Sequence, residues 1–505
     1  MEEGRDAATR PAPKSKRLTR ARFDSEGKRS RGSEPSGMRN EDFAKLGLPP
    51  KDPATQLARR LLGQAVKNGL PSEEIPSRMA AIIADPAAFK DDPHFAELAV
   101  ALLGKRRLDG SYGYTPRAVP APWRQWGKNL EPGAVEQMVN AVMLPVAVSG
   151  ALMPDAHQGY GLPIGGVLAT DNAVVPYAVG VDIACRMRLT ILDMPPELLL
   201  SERDHLSKVI ERETSFGVGA TFRKRREHDV LSADWTVSPV TRGSKDRAAA
   251  QLGTSGSGNH FVELGPLTLP QDDLGLKAGT YLAIMSHSGS RGTGAAVADH
   301  YSKLARLRCP DLPPELSRLA WLTLDSAEGQ EYWAAMELMG LYAAANHEVI
   351  HREMVRALGA TALTHIENHH NYAWKEQHGG RELIVHRKGA TPAGEGVLGV
   401  IPGSMASPAY VVRGKGSEAS LLSASHGAGR VMSRTQAAKT LSWTDANQLL
   451  RDRGVTLLSS GIDEVPAVYK DIDEVMDAQA DLVEKVARFF PSLVKMAPSG
   501  ERPED

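Results

Sequence analysis

The fold class is decided by four short runs: VVPYAVGVDI at 174–183, TYLAIMSH at 280–287, ELIVHRKG at 382–389 and AYVVRG at 409–414. β-Branched and aromatic residues are frequent in these runs, and such residues favour strands. Two longer segments, 331–358 and 471–490, are rich in Ala, Glu, Met and Val and are predicted helices. Strands and helices alternate without a regular βαβ period, which predicts a mixed α/β (α+β) core.

Composition divides the chain into four parts. Residues 1–40 hold eleven Lys or Arg and six Asp or Glu, with almost no large apolar side chains, which predicts a disordered basic tail. That tail is either a solvated extension or an electrostatic arm for RNA. Residues 41–107 carry apolar side chains at helical spacing and predict a small helical accessory segment. Residues 108–495 form the predicted main domain, and 496–505 a C-terminal tail.

Several classes of protein are disfavoured by the composition. The formal net charge of the 505 residues is −1, so any RNA-binding surface must be a local concentration of positive charge. Two cysteines cannot build a disulfide framework. The N-terminus lacks the apolar core of a signal peptide, and no uncharged apolar run is long enough to span a membrane. These features predict a cytoplasmic protein without a membrane partner.

Five glycine-rich strings that carry histidines, together with the string GVDIACRM, dominate the rest of the chain. They are MPDAHQGYGLPIGGV (153–167), GVDIACRM (180–187), GTSGSGNHFVEL (253–264), SHSGSRG (286–292), ENHHNYAWKEQHGG (367–380) and SASHGAGRVMSR (423–434). Polar residues in glycine-rich loops commonly form binding or catalytic sites. We therefore expect these loops to meet at one site.

A metal site is one interpretation of these strings. Asp182 and Cys185 offer an oxygen and a sulfur within one short segment, and His260, His287 and His370 offer imidazole nitrogens. This combination suits manganese, cobalt or zinc, and a thiolate can bridge two ions. Taken singly, the cysteine could instead be a small buried apolar residue and each histidine a packed one. The scattered spacing does not decide between these interpretations.

His426 lies between glycines in SHGAGR, where backbone amides can approach a phosphate closely. A neutral imidazole there could attack phosphorus and form a phosphoramidate. The alternative is a turn histidine that caps a helix starting near Val431. Arg291, Arg387 and Lys388 are candidate phosphate or RNA contacts in similar strings, or simply residues of tight turns.

These strings, in this order, resemble the RtcB family of RNA-splicing ligases. The resemblance is carried by MPDAHQGYGLPIGGV, GNHFVE, HSGSRG, HHNYAWKEQH, RKGATPA, PGSM and HGAGRVMSR. It extends from about Leu108 to Lys495. It implies the mixed α/β core of that family, built around a dinuclear metal centre.

The resemblance also implies roles for individual residues. One manganese would be held by Asp182, Cys185 and His260, and a second by Cys185, His287 and His370, with Cys185 as the bridge. His426 would carry a covalent guanylate. The residues implied for GTP or GMP binding are Asn259, Glu263, His370, Asn371, Pro402, Gly403, Ser404, Met405, Ala409, His426, Gly427, Ala428, Gly429 and Lys495.

The implied activity is GTP- and manganese-dependent joining of RNA ends. A 2′,3′-cyclic phosphate or 3′-phosphate end would be joined to a 5′-hydroxyl end through a GMP–histidine intermediate and a guanylylated 3′ end. Such a reaction serves tRNA splicing or RNA repair. The implied partners are RNA and GTP, and in some members of the family also an archease-type activator.

The chain departs from the family pattern at three places. Ala184 and Arg186 flank Cys185 where the family is rich in glycine, and Arg186 would add a cation beside the metals. Ala409 replaces a serine that contacts guanine, and the chain continues past Lys495. Ala184, Arg186 and Ala409 leave room for a 3′-phosphate guanylyltransferase that caps ends without sealing them. The ligand set alone would also suit a metal-dependent phosphodiesterase, whereas a non-catalytic RNA-binding protein would not need His426.

Overall fold

The computed structural model describes residues 38–46, 48, 52–89, 92–103 and 111–500. The chain forms two compact units, Met1–Leu103 and Gly104–Asp505. The predicted disordered tail therefore lies almost entirely outside the described residues. So do the predicted boundary at Leu108 and the last five residues of the predicted C-terminal tail.

The first unit is helical over the residues that the structure describes. Its helices are α1 (Asn40–Lys45), α2 (Pro53–Lys67), α3 (Ile75–Ala84) and α4 (Ala96–Leu103), with a 3-10 helix at Pro86–Phe89. Asp52 caps α2, because its side chain accepts a hydrogen bond from the backbone N–H of Ala54 at 2.8 Å. The buried faces of α2, α3 and α4 form one apolar cluster.

The second unit contains both strands and helices, which confirms the predicted fold class. Its strands are β1 (Trp123–Gln125), β2 (Ala147–Tyr160), β3 (Leu162–Thr170), β4 (Ala173–Val174), β5 (Arg186–Leu192), β6 (Phe261–Leu269), β7 (Gly279–Ser288), β8 (Leu322–Thr323), β9 (Ala362–His369), β10 (Asn371–His378), β11 (Arg381–Lys388), β12 (Ala390–Pro392), β13 (Leu398–Ile401), β14 (Ala409–Gly414), β15 (Ser423–Ser425), β16 (Thr456–Ser459), β17 (Val483–Phe489) and β18 (Leu493–Met496).

Helices cover and connect these strands. They are α5 (Pro132–Val142), α6 (Pro176–Val179), α7 (Leu198–Ser201), α8 (Arg203–Glu213), α9 (Pro239–Gln251), α10 (Arg291–Arg308), α11 (Ala327–Leu358), α12 (Arg434–Thr440), α13 (Trp443–Asp452) and α14 (Ile472–Asp477). Short 3-10 helices lie at Asp229–Ser232, Trp235–Val237, Pro314–Leu319, Glu418–Ser420, Ile462–Glu464 and Pro466–Val468.

Two sheets organise the second unit. The smaller has the strand order β1-β2-β3-β11-β10, and the larger has the order β13-β14-β17-β6-β7-β5-β9, with β18 also paired to β6 and β16 paired to β18. Strands β12 and β15 form a separate antiparallel pair. Strands β5, β6, β7 and β9 are consecutive neighbours in the larger sheet, so residues at the ends of these strands are brought close together.

Helix α11 supports the larger sheet through a buried polar cluster. The hydroxyl of Ser286 on β7 lies 2.8 Å from Nδ1 of His347 and 2.8 Å from Nε2 of His351. Thr190 on β5 lies 2.7 Å from the other ring nitrogen of His351. Burial lowers the pKa of both histidines well below the usual value, so both rings are neutral. These bonds fix α11 against β5 and β7.

Some local predictions were wrong. The helix predicted over 471–490 is instead α14 followed by β17, because the second half of that segment pairs with β14 and β6. Of the strand predicted over 174–183, only Val174 lies in a strand, which is β4. Pro176 then begins the short helix α6. The predicted loops at 153–167 and 367–380 contain strands β2, β3, β9 and β10. At 471–490, 153–167 and 367–380, pairing with other strands outweighs local composition.

Candidate active site

The five predicted metal ligands come together at the strand ends of the larger sheet. Asp182 and Cys185 lie in the turn between α6 and β5, His260 directly precedes β6, and His370 joins β9 to β10. His287 lies on β7, opposite Met187 of β5 and Phe261 of β6. The sheet order therefore explains why residues that are far apart in the chain share one buried site.

Their ligand atoms form two groups of three that share Cys185. One group is Asp182, Cys185 and His260, and the other is Cys185, His287 and His370, with all ligand atoms of a group within 4.8 Å of one another. The Cys185 Sγ atom lies 3.3 Å from Nε2 of His260 and 3.1 Å from Nε2 of His287. Donor atoms bound to one transition-metal ion are separated by about 3–4 Å, so each group could hold one ion.

The protonation of the second group fits a metal site. Nδ1 of His287 lies 3.1 Å from the carbonyl oxygen of Asn259, which fixes the N–H on that nitrogen. The lone pair of its Nε2 then faces Sγ of Cys185 and Nε2 of His370, the latter at 3.1 Å. Burial and the charge of His260 lower the pKa of His287 to about 3, and burial lowers that of His370 well below its usual value. Neutral imidazoles whose lone pairs converge are suited to a shared cation.

Asp182 is held as a carboxylate. Burial opposes its ionisation, but the hydrogen bond and charge of His260 and the charge of Arg291 hold the pKa of Asp182 below its usual value. The backbone N–H of Ser290 donates to Oδ1 at 2.9 Å. Oδ2 lies 3.2 Å from Nε2 of His260. A side chain at Gly289 would overlap this carboxylate, since a Cβ there would lie 2.0 Å from Oδ2.

His426 is oriented by a carboxylate that the sequence analysis missed. Nδ1 of His426 lies 2.7 Å from Oδ2 of Asp155, and the backbone N–H of His426 donates to the same oxygen at 3.3 Å. Burial opposes ionisation of Asp155, but the hydrogen bond and charge of His426 and the charge of Lys470 lower the pKa of Asp155. In the neutral form of His426, this hydrogen bond places the proton on Nδ1 and leaves the lone pair on Nε2.

The backbone approaches this pair closely. Gly429 has φ +75°, and a Cβ there would lie 2.0 Å from the carbonyl oxygen of Asp155. Gly389 has φ +60°, and a Cβ there would lie 3.1 Å from Cε1 of His426. The ring centroid of His426 is 4.9 Å from that of His370, so the histidine lies against the second ligand group. Glycine is required here both for conformation and for space.

A cavity beside the ligand groups contains most of the predicted nucleotide-binding residues. It is lined by Asn259, Glu263, His370, Asn371, Pro402, Gly403, Ser404, Met405, Ala409, His426, Gly427, Ala428 and Gly429. Asn371 joins the cavity to the metal-ligand segment, because its side-chain amide donates to the carbonyl of Asp182 at 3.3 Å and its oxygen accepts from the N–H of Gly389 at 2.8 Å.

Glu263 is the unusual residue of this cavity. It is 3% exposed among apolar neighbours that include Phe261, Met285 and Met496, and burial raises its pKa well above the usual value. Its Oε2 atom has no hydrogen-bond partner among the residues that the structure describes. A buried carboxyl group without a partner is costly unless a ligand supplies the missing donors.

Lys495, the predicted guanine contact, is not among the residues that line the cavity. It pairs with Val262 across β18 and β6, whereas Glu263 pairs with Val494, so Lys495 and Glu263 are on opposite faces of the sheet. Its Nζ donates to the carbonyls of Glu211 and Thr214 at the end of α8, each at 3.1 Å. The next residue, Met496, lines the cavity instead.

The three cations predicted to contact RNA are buried within the protein. Arg387 is fully buried, and its guanidinium makes two hydrogen bonds to the carboxylate of Glu376, at 2.6 and 3.0 Å. Arg291 is 2% exposed and donates to the hydroxyl of Thr254 at 3.1 Å. Lys388 is 5% exposed and donates to the carbonyl of Tyr160. None of them is available to RNA in this structure.

The residues that flank Cys185 do not enter the cavity. Arg186 is 5% exposed, and its guanidinium extends to Nδ1 of His369 at 3.2 Å and towards Glu367. The expectation that Arg186 would place its charge beside the metals is therefore not supported. Ala184 is buried with φ +57°, a conformation that favours glycine.

Comparison with known proteins identifies the family of this chain. The family model described as tRNA-splicing ligase RtcB matches residues 137–239 and 230–496. The chain belongs to the RtcB family. It is 36% identical over 398 residues to the RNA-splicing ligase RtcB of Escherichia coli K12, an alignment that covers 72% of this chain and 95% of that protein.

More distant relatives give the same result. The RNA-splicing ligase RtcB of Mycobacterium tuberculosis is 33% identical over 431 residues, covering 70% of this chain and 98% of the relative. The tRNA-splicing ligase RtcB of Methanococcus maripaludis is 32% identical over 447 residues, covering 72% and 91%. Within the described part of the chain, no helix is both long enough and apolar enough to cross a membrane.

Proposed function

We propose that this RtcB family member is a GTP- and manganese-dependent RNA ligase that joins 2′,3′-cyclic phosphate or 3′-phosphate ends to 5′-hydroxyl ends. The observation that carries the proposal is the placement of His426. Its Nδ1 is bonded to Asp155 at 2.7 Å, which leaves Nε2 as a nucleophile, and its ring lies against the His370 ligand group. The relatives named as RNA-splicing ligases support the same reaction class.

Glu263 supports GTP as the nucleotide. Guanine presents two adjacent N–H donors, on N1 and on the exocyclic amine, whereas adenine presents an acceptor at N1. The unpartnered carboxyl group of Glu263, buried among apolar side chains, matches the two donors of guanine. Guanine would satisfy this group as a carboxylate, and adenine would leave it unpaired.

Two manganese ions would be held by the two groups that share Cys185. When bound, they would neutralise the charge that develops on the phosphate oxygens during each displacement. The neutral imidazoles of His287 and His370 and the mixed oxygen, nitrogen and sulfur ligands fit a borderline divalent cation.

The reaction can be written from the residues of the chain. Nε2 of His426 attacks the α-phosphorus of GTP, and pyrophosphate leaves. Asp155 accepts the hydrogen bond from Nδ1 and stabilises the positive charge that develops on the ring. A cyclic phosphate end is hydrolysed to a 3′-phosphate, which takes the guanylate from His426. A 5′-hydroxyl then attacks the activated 3′ phosphorus and GMP leaves.

A basic loop supports RNA as the substrate despite the net charge of −1. Arg223, Lys224 and Arg225 are consecutive and exposed. The loop is anchored to the segment that leads into Asn259, because the N–H of Gly217 donates to the carbonyl of Gly256 at 2.7 Å. Such a cluster of positive charge could attract a phosphate backbone close to the site.

Mass spectrometry after incubation with GTP and manganese tests the proposal. The wild-type protein should gain one GMP, and His426→Ala should gain none. The matched control is His300→Ala, which removes an exposed histidine from α10 and should label like wild type. Undiminished labelling of His426→Ala would refute the assignment.

The same labelling experiment separates the alternative functions. A metal-dependent phosphodiesterase would form no protein–GMP adduct at all. A 3′-phosphate guanylyltransferase would form the adduct and lengthen one RNA strand by a cap, but would not join two strands. A gel that resolves capped from joined RNA distinguishes this alternative from the proposed ligase.

A further inference from the structure

Tyr160 is a large aromatic residue left exposed at the cavity. Its side chain lines the same cavity as His426, yet the residue is 62% exposed. It lies at the end of β2, opposite Leu162 across the tight turn to β3. An exposed aromatic ring beside a cavity offers a flat surface on which a planar ligand can stack.

The ring of Tyr160 is held from one side. The guanidinium of Arg318 lies 4.0 Å from its ring centroid, and the same group lies 5.0 Å from the ring of Tyr177 and donates to its hydroxyl at 3.3 Å. A cation held between two tyrosines covers one face of Tyr160 and fixes its plane. Among the residues that the structure describes, no aromatic ring or further cation covers the other face.

The turn that carries Tyr160 is also fixed. Gly161 has φ +74°, and a Cβ there would lie 2.9 Å from the carbonyl oxygen of Arg318, so the turn is packed directly against the 3-10 helix Pro314–Leu319. The Nζ of Lys388 donates to the carbonyl of Tyr160. The ring is therefore organised before any ligand binds, which lowers the entropic cost of binding.

Tyr160 is connected to the catalytic histidine through two consecutive residues. Lys388 donates a hydrogen bond to the carbonyl of Tyr160 and is followed by Gly389. A Cβ atom placed on Gly389 would lie 3.1 Å from the ring of His426. Tyr160 belongs to the smaller sheet, whereas Glu263, the proposed guanine contact, belongs to the larger one. The cavity therefore has a second place where a planar group can bind. This place is formed by the smaller sheet and lies beside the same nucleophile, His426.

We propose that the free face of Tyr160, backed by Arg318, stacks on the base of the terminal nucleotide of the 3′-phosphate RNA strand and positions that end at His426. The inference rests on the proposed ligase function and adds a positioning residue for its RNA substrate. Stacking suits a ligase, because every base has a π-face and the contact therefore accepts ends of any sequence.

The test uses the full-length protein and a short RNA that ends in a 3′-phosphate and carries 2-aminopurine as its terminal base. Wild type should quench the fluorescence of this base, and Tyr160→Ala should abolish the quenching and raise the Kd about 5- to 150-fold. Tyr160→Phe should retain both, because the ring face is kept. Arg318→Met should give an intermediate loss. The control Leu341→Ala, which truncates an exposed side chain on α11, should behave as wild type.

A second RNA, abasic at its terminal nucleotide, identifies the contact. Wild type and Tyr160→Ala should bind this RNA equally, since no base remains to stack. The inference is overturned if Tyr160→Ala leaves the Kd for the 2-aminopurine RNA unchanged, or if the variant weakens the abasic RNA to the same extent. The GMP adduct of wild type is measured separately: its absence would refute the ligase proposal, whereas quenching reports the stacking contact by itself.

Discussion

Oδ2 of Asp155 lies 2.7 Å from Nδ1 of His426 and 3.3 Å from the backbone nitrogen of the same residue. One carboxylate thus fixes both the ring and the main chain of the proposed nucleophile. Lys470 holds the segment around Asp155 by donating to the carbonyls of Pro154 and Ala156, at 3.0 and 2.8 Å. The folded protein therefore determines which ring nitrogen of His426 lacks a proton when the ring is neutral.

Asp155→Asn should slow formation of the protein–GMP adduct by about 10²–10⁴-fold, because the amide cannot stabilise the positive imidazole and can select the wrong tautomer. The rate of adduct formation with labelled GTP measures this. Asp171→Asn is the matched control, since Asp171 is exposed and pairs with Arg381 at the surface. An Asp155→Asn variant that labels at the wild-type rate would exclude this role for the carboxylate.

Cys185→Ser should remove both manganese ions from the protein, because Sγ of Cys185 belongs to both ligand groups. A serine hydroxyl stays protonated at neutral pH and is a poor substitute for a bridging thiolate. His260→Ala should cost less, since His260 belongs to one group only. Metal analysis after gel filtration gives the number of ions retained.

The second cysteine provides the control for that experiment. Cys309 is buried at the end of α10, and burial raises the pKa of its thiol to about 12, so it is an inert apolar residue. Cys309→Ser should retain two equivalents of manganese. Retention of two equivalents by Cys185→Ser would contradict the proposed bridge.

Lys388 should make stability depend on pH. Burial and the charge of Arg318 lower the pKa of Lys388 from 10.5 to about 7. Between these values the unfolded chain binds more protons than the folded one, so the free energy of unfolding rises as the pH rises. From pH 7 to pH 9 this contribution amounts to about 2 kcal/mol.

Lys388→Met should lose that dependence, and urea unfolding at pH 7, 8 and 9 measures it. The control is Lys303→Met, because Lys303 is exposed and paired with Asp299 on the surface of α10. The free energy of unfolding of Lys303→Met should change with pH as that of wild type does. Parallel profiles for wild type and Lys388→Met would mean that Lys388 remains charged when buried.

The sequence led to many of the residues that line the cavity. It did so because these residues lie in glycine-rich strings that follow one another in an order that resembles a known family. It could not supply Asp155, since one carboxylate within such a string gives no sign of its partner 271 residues later. It also gave no sign of the face of β18 on which Lys495 lies, because neighbouring residues of a strand point to opposite faces. Which face Lys495 takes depends on its pairing with β6.

The burial of the three candidate RNA-contacting cations could not be predicted from the sequence for a related reason. Arg387 looks like a phosphate contact in the string RKGAT, but its partner Glu376 is brought to it by the pairing of β10 with β11. The segment 471–490 has helical composition throughout, yet its second half forms β17 because β14 and β6 present free strand edges to it. Pairings between distant segments decided these outcomes, and local composition does not contain them.

The chemistry of RNA joining should show which fragment supplies the phosphorus of the new linkage. If the guanylate of His426 is transferred to a 3′-phosphate, the only group that can then displace GMP and leave an ordinary phosphodiester is a 5′-hydroxyl. We therefore expect the protein to seal 2′,3′-cyclic phosphate or 3′-phosphate ends to 5′-hydroxyl ends and to retain the 3′-terminal phosphorus. An RNA labelled at that phosphate is joined to a 5′-hydroxyl strand and the product is digested to nucleotides. The label should appear in the nucleotide at the junction, and a 5′-phosphate strand paired with a 3′-hydroxyl strand should not be joined. Loss of the label, or joining of the second pair alone, would show that the covalent guanylate does not activate a 3′-phosphate in this protein.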